Sequence, residues 1–309
     1  MAFLYAMPGA IAEGLIWGLM AIGVYISYKI LDIADLTVDG SICTGACVCA
    51  VLLTKGIPAW LCVMVAFMAG ALTGILTGLF NTAMGIPSIL AGILTQLILY
   101  SVNLSILGGR SLVAIDARSV NTLIHMSDNP AAIVVLALLS IALIVVLWLF
   151  FYTEVGLTLK STGDNPDMSR AQGVNVKLNK VVGLAISNGI VAFAGALLAQ
   201  YKGSANINDG RGAIVIGLAA IFIGLSVSLK IKPNFVVSLI GVIGGGIVYY
   251  IIYNFVVLLG LKTDYLKMLS AIIVAVFLTI PYWKREYFTK NKYVLPPEEN
   301  KNAGGDDNA

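Results

Sequence analysis

The chain has 309 residues, of which 59% are hydrophobic and only 11% charged, with a net charge of +3 and a mean hydropathy of +0.93. Soluble domains spend about a quarter of their residues on charge, so this composition excludes a soluble globular domain and points to an integral membrane protein. The few charges cluster between apolar runs, which selects helices over a membrane barrel, whose strands alternate apolar and polar residues in segments of about ten. No basic patch is formed, so nucleic acid is not expected as a partner.

A hydrocarbon core about 30 Å thick requires about 20 apolar helical residues. Nine segments approach that measure: 11–30, 36–53, 58–80, 86–107, 131–152, 181–200, 212–229, 234–260 and 265–282. The expected architecture is therefore an all-α, polytopic membrane helical bundle of about nine transmembrane spans. Residues 1–290 make up the membrane domain, with a polar loop at 154–180, and residues 291–309 read as a disordered tail. The N-terminus has no Lys or Arg before its apolar stretch, so it lacks the basic start of a cleaved secretory signal and the first span is expected to be retained.

Orientation follows from the Lys/Arg content of short loops. Lys160, Arg170, Lys177 and Lys180 lie in the 154–180 loop, Lys230 and Lys232 between the seventh and eighth segments, and Lys284, Arg285, Lys290 and Lys292 after the ninth. With nine spans all three groups fall on the cytoplasmic side, placing the N-terminus outside and the C-terminus in the cytoplasm. Arg110, Arg118 and His125 then lie in an external loop, with His125 exposed to solvent.

Residues 31–41, LDIADLTVDGS, bring Asp32, Asp35 and Asp39 to or into the second apolar segment. A carboxylate at the bilayer centre costs about 2.5–3.5 kcal/mol on insertion scales, so it persists beside a cavity, a partner or an interface. Asp39, Gly40 and Ser41 can line a translocation pathway at a broken helix; alternatively Asp39 caps the second helix. The two roles are compatible. Asn208-Asp209-Gly210-Arg211-Gly212 repeats the pattern before the seventh segment, and span parity places Asp209 and Gly210 on the side of the membrane opposite Asp39, as an inverted repeat requires.

Gly70, Gly74 and Gly78 in the third segment, and Gly241, Gly244, Gly245 and Gly246 in the eighth, allow close helix approach. The amides Gln96, Asn103, Asn188 and Gln200 are expected to face the bundle interior, with Gln96 and Asn188 as pathway candidates. Cys43 and Cys47 share a helix face, but they have no His or second cluster to complete a closed metal site, so neither metal nor cofactor is expected. The phosphate-cradling G-x-x-x-x-G-K-[ST] motif is absent from the sequence.

Gly156-Leu157-Thr158-Leu159-Lys160-Ser161-Thr162-Gly163-Asp164-Asn165-Pro166, followed by Arg170-Ala171-Gln172-Gly173-Val174-Asn175, resembles the cytoplasmic segment of ABC importer permeases of the branched-chain amino acid and ribose type. Residues 35–41 are similar to a branch of that family associated with tryptophan or tyrosine uptake, and the 208–224 segment, with its IGLAAIFIG run, is similar to a later span of the family. The resemblance extends roughly over residues 13–281, and departs from the usual small residues after Asn-Pro at Asp167-Met168-Ser169.

It implies a non-enzymatic permease subunit in a prokaryotic inner membrane that forms the pathway for a small solute, an aromatic amino acid being the expected class. The implied partners are a separate ABC ATP-binding subunit, an extracytoplasmic solute-binding protein, a second permease copy in a homodimer, and the membrane lipid. Asp164, Asn165, Pro166, Arg170 and Gly173 would couple to the ATP-binding subunit. The alternative class is an ion-coupled secondary transporter, with Asp39 or Asp209 holding a proton or sodium ion, or a channel.

Overall fold

Inside hydrocarbon every backbone N–H and C=O must be paired within the chain, and a helix does this without needing a neighbour. The computed structural model describes residues 2–115, 122–126, 129–231 and 234–258, with single positions between 268 and 279. These residues form ten α-helices: α1 (Ala2–Tyr25), α2 (Val38–Thr54), α3 (Ala59–Thr82), α4 (Ser88–Ile106), α5 (Asn129–Phe151), α6 (Glu154–Asp164), α7 (Pro166–Ala171), α8 (Val176–Lys202), α9 (Ala213–Ile231) and α10 (Phe235–Leu258). Two short strands, β1 (Leu112–Ala114) and β2 (Ser204–Asn206), pair antiparallel. They tie the segment after α4 to the end of α8.

Six helices among the described residues are long and apolar enough to cross a membrane: Met7–Ile30, Ala59–Thr82, Ser88–Ile106, Asn129–Phe151, Val176–Lys202 and Phe235–Val257. This corrects the expectation of about nine. The second and seventh expected segments are the shorter helices Val38–Thr54 and Ala213–Ser226, and both are short for the same reason: the chain enters the bundle as non-helical backbone before each of them begins. The ninth segment, 265–282, lies largely outside the described residues, as does the tail at 291–309. The parity that set the direction of the termini falls with the count.

The first break follows α1. Its last turn widens into a π-helix, Ile26–Ile30, and Asp32 then takes a left-handed φ of 54°, a conformation that Asp tolerates better than most side chains. Residues 31–37 continue inward without regular structure until α2 starts at Val38. The second break follows α8, where Gly203 closes the helix at φ 67°. After β2, residues 207–212 fold back toward the start of α2.

Two helix pairs form the centre of the bundle. α3 packs along α8 and α10 along α1, while α2 rests on α3 and α8 much as α9 rests on α10 and α1. Glycines make these contacts possible: a Cβ on Gly74 would stand 2.1 Å from the Leu184 carbonyl oxygen of α8, and one on Gly14 would stand 2.6 Å from Ile247 Cα of α10. In the second glycine run a Cβ on Gly245 would meet the Ala220 carbonyl oxygen of α9, so glycines of both runs serve packing within one chain. α5 carries only six buried residues among its 23, consistent with a peripheral helix facing lipid.

The bundle has two distinct ends. At one, the loop end, α6 and α7 lie beside the π-helical turn and the start of α8; at the other, the ribbon end, are β1, β2 and the end of α8. α2 runs toward the ribbon end, since Ser41 meets Asn188 and Cys49 meets Gln200 further along α8.

Candidate functional site

The two breaks meet at Asp39. Its Oδ2 accepts the backbone N–H of Gly212 at 2.9 Å and its Oδ1 that of Ile214 at 2.9 Å. The first turn of α9 contains no acidic residue of its own, so Asp39 supplies the carboxylate that its exposed N–H groups and dipole favour. Asp39 is thus a cap for α9, not for α2, whose cap position, Thr37, makes no side-chain capping bond. The contact also corrects the expected separation of the Asp-Gly segments across the membrane. A Cβ on Gly210 would lie 2.1 Å from the Asp39 carbonyl oxygen, so the two segments touch.

Cys43 completes the junction. Its thiol donates to the Ile207 carbonyl at 3.3 Å, and its sulfur accepts the Gly210 N–H at 3.1 Å. Both bonds go to the backbone of the 207–212 segment.

A cavity of about 360 Å³ opens on one side of this junction, lined by Asp39, Gly40, Gln96, Tyr100, Asn103 and Arg211 among others. On the other side lies a second cavity of about 410 Å³, whose wall includes Trp17, Lys202, Asp209, Arg211 and Tyr253. Arg211 borders both. The ion pairs of the described residues are Asp167–Arg170 and Lys202–Asp209, so Arg211 has no carboxylate within ion-pair distance among them. Gly210 and Gly212 flank it, the N–H of the first held by Cys43 Sγ and that of the second by Asp39. Arg211 was not among the expected site residues, although an arginine between two glycines entering an apolar helix is visible in the sequence.

Of the expected pathway residues, Asp39, Gly40 and Gln96 share the first cavity and Asp209 lines the second. Gly210 is the contact between the two segments. Ser41 and Asn188 lie behind the cavities in a buried polar network. Asn188 donates to Asp35 Oδ2 at 2.6 Å, Ser41 donates to Asn188 Oδ1 at 2.6 Å, and Ser41 also bonds Thr73 at 2.7 Å. The second Asp35 oxygen accepts the Thr37 N–H at 2.9 Å. The Thr37 hydroxyl meets Thr77 at 2.7 Å, and Thr77 donates to Thr95 at 3.0 Å.

Asp35 is only 2% exposed, and no cation lies within ion-pair distance of it among the described residues. A buried carboxylate without a counter-charge depends on its hydrogen-bond donors, and these donors pin residues 35–41 to α3 and α8. The sequence signal for the network is Ser/Thr at four-residue spacing, Thr37 with Ser41 and Thr73 with Thr77, on helices otherwise made of apolar and small residues.

At the loop end, the polar loop expected at 154–180 contains two helices, α6 and α7. Thr153 caps α6 by accepting the Gly156 N–H at 3.3 Å. Asn165 ends α6 and caps α7 by accepting the Met168 N–H at 3.0 Å, with Pro166 at the first helical position, where its missing donor costs nothing. Asp164 is the last residue of α6, Arg170 pairs with Asp167 at 3.3 Å on the exposed face of α7, and Gly173 turns the chain at φ 84°.

Asn179 of α8 donates to Thr162 of α6 at 3.0 Å. Gly163 lies so close to the π-helical turn that a Cβ would stand 1.8 Å from the Ile30 carbonyl oxygen. Away from these contacts the loop end exposes Met168 (60%), Leu157 (57%) and Leu178 (58%). His125, expected to be solvent-exposed, is half-buried and bonded to Thr122.

A helical membrane bundle with two interrupted helices meeting beside internal cavities, and with a tethered helical hairpin at one end, has the build of a transport permease. The chain belongs to the family described as branched-chain amino acid transport system / permease component, whose profile matches residues 7–278. It is 36% identical over 267 residues to a tyrosine transport system permease protein of Clostridioides difficile, covering 86% of this chain and 88% of that one. An uncharacterized protein of Rickettsia prowazekii is 33% identical over 279 residues, 90% of this chain and 97% of the other. The galactose/methyl galactoside import permease protein MglC of Escherichia coli is 28% identical over 202 residues, 63% of this chain and 58% of its own. No solved structure matches the chain. It is a multi-pass membrane permease subunit of the ABC type and not an enzyme.

Proposed function

We propose that this permease forms the pathway for an aromatic amino acid, of the tyrosine or tryptophan kind, in an ATP-driven importer. The similarity to a tyrosine transport permease supports the solute class. The pathway runs past the junction of α2 and α9, with Asp39, Gly40, Gln96 and Arg211 on its wall; Ser41 and Asn188 hold that wall in place.

Family membership implies the partners: a separate ATP-binding subunit, an extracytoplasmic solute-binding protein and a second permease copy. The ATP-binding subunit docks on α6 and α7. The exposed Met168 carries this assignment: at 60% exposure, on a short polar helix outside the membrane-crossing helices, an apolar side chain marks a surface that a protein covers. The loop end, with Lys29, Lys160, Arg170, Lys177 and Lys180, then faces the cytoplasm, and the N-terminus lies outside. Residues 1–290 act as one permease unit, with residues 291–309 as a tail.

The permease binds its partners differently in two conformations, because only such a difference in affinity lets ATP shift the equilibrium between them. Ion coupling at Asp39 is disfavoured by geometry, since both carboxylate oxygens are engaged by backbone N–H groups of α9. Uptake of labelled tyrosine into proteoliposomes carrying the permease, its ATP-binding subunit and the solute-binding protein tests the proposal. ATP-dependent uptake is expected; uptake driven by a proton or sodium gradient without the ATP-binding subunit overturns it.

A further inference from the structure

We infer that the cavity between α1, α9 and α10 is a binding site for a zwitterion bearing an aromatic ring. The carboxylate is held between Lys202 and Arg211, the ammonium faces Asp209, and the ring lies against Trp17 and Tyr253. This deepens the proposed amino acid transport by naming the groups that recognise the solute, and it rests on that proposal.

The cavity, about 410 Å³, falls in the size range of small-molecule sites. Its aromatic wall is preorganised: Trp17 and Tyr250 stack with ring centroids 5.9 Å apart at 25°, and Tyr249 and Tyr253 stack at 6.5 Å and 20°. Such a wall binds a ring with little loss of side-chain freedom. The Trp17 indole N–H is buried without an acceptor among the described residues, a deficit that buried donors rarely show.

The charges are separated along the same cavity. Lys202 reaches Asp209 Oδ1 only at 4.0 Å, with the two side chains 35% and 25% exposed, so that pair is loose; Asp209 is held through Oδ2 by the Asn206 N–H at 3.1 Å and presents Oδ1 to a ligand. Arg211 lacks a carboxylate altogether among the described residues. Glu13 lies within electrostatic range of Lys202, which leaves the region close to neutral. A zwitterion satisfies both poles without adding net charge, whereas a free cation or anion leaves one pole unmatched. The cavity on the other side of Arg211 has Tyr100 as its aromatic lining residue and offers a ring a poorer wall.

The test is equilibrium binding of labelled L-tyrosine and L-tryptophan to the purified full-length chain in lipid nanodiscs, with tyramine, 3-(4-hydroxyphenyl)propionate and L-alanine as competitors. The aromatic amino acids are expected to bind and each competitor to bind at least tenfold more weakly. Trp17→Phe and Tyr253→Leu are expected to weaken tyrosine binding at least fivefold, and Lys202→Gln at least tenfold. Photolabelling of the unmodified chain with an azido-tyrosine, mapped by peptide mass, is expected to mark residues 249–253. If tyrosine binds but these substitutions leave its affinity unchanged, or the label maps to α4 alone, the site is wrong while the transported class stands. If the unmodified chain binds neither aromatic amino acid, the site is overturned, and the ATP-dependent uptake assay decides the transported class separately.

Discussion

Asp39 holds the first turn of α9 through Ile214, whose N–H its Oδ1 accepts at 2.9 Å across 175 positions of sequence. Together with the bond from Gly212, this makes the start of one broken helix dependent on a side chain of the other. Any change in the spacing of α2 and α9 must break these bonds or carry both helices together.

Replacing Asp39 with Ala removes the carboxylate that, among the described residues, caps α9. The expected loss is about 1–2 kcal/mol, the upper part of the range for cap removal, read as a lower melting temperature in detergent together with loss of uptake. Asp39→Asn retains an acceptor oxygen and should recover part of the stability.

Asn188→Leu deletes the donor to Asp35 and the acceptor for Ser41 in one step. Leaving a buried polar group unsatisfied costs about 1–3 kcal/mol, and a carboxylate lies at the upper end. Thermal unfolding should show this loss. The double variant Asn188→Leu with Asp35→Leu should be less destabilised than the sum of the two single changes, because the two side chains share a bond.

Gly74→Ala places a methyl 2.1 Å from the Leu184 carbonyl oxygen, which is backbone and has little room to move. Overpacking of this kind costs about 1–3 kcal/mol. Lower melting temperature and reduced yield of folded chain are expected, whereas Gly244→Ala, with nothing within 4 Å of the added methyl, should melt like the unmodified protein.

Met168→Glu alters an exposed side chain on α7, so its effect on folding should stay within about 0.5 kcal/mol. The same change, alone or with Arg170→Glu, should abolish co-purification of the ATP-binding subunit. Retained co-purification with normal stimulation of ATP hydrolysis would remove α7 from the docking surface.

The helical class and the polar loop were legible in the sequence because hydrocarbon thickness and charge clustering act locally along the chain. The number of crossings was not. Residues 36–53 and 212–229 satisfy an apolar-length measure, but that measure cannot register a chain entering the bundle as non-helical backbone before it becomes helical. Asp39 and Gln96 could be named as candidates because a polar group among apolar ones stands out. Which helix Asp39 serves could not be read, since its partners lie 173 and 175 positions away. Arg211 escaped notice for the same reason: its neighbours come from α1, α4 and α10, and nothing nearby in sequence announces two cavities. The Gly-rich runs signalled close packing, while their partner helices emerged only in three dimensions.

The contact at Gly163 leaves the fold without slack. Its backbone rests on the Ile30 carbonyl with no space for a methyl group, so a stroke applied to α6 toward the bundle cannot be damped by a side chain shifting its rotamer. Such a stroke would press on the π-helical turn, from which residues 31–37 lead to Asp39 and the opening turn of α9. A close main-chain approach at Gly163 thus joins the most polar end of the chain to the segment that leads to Asp39.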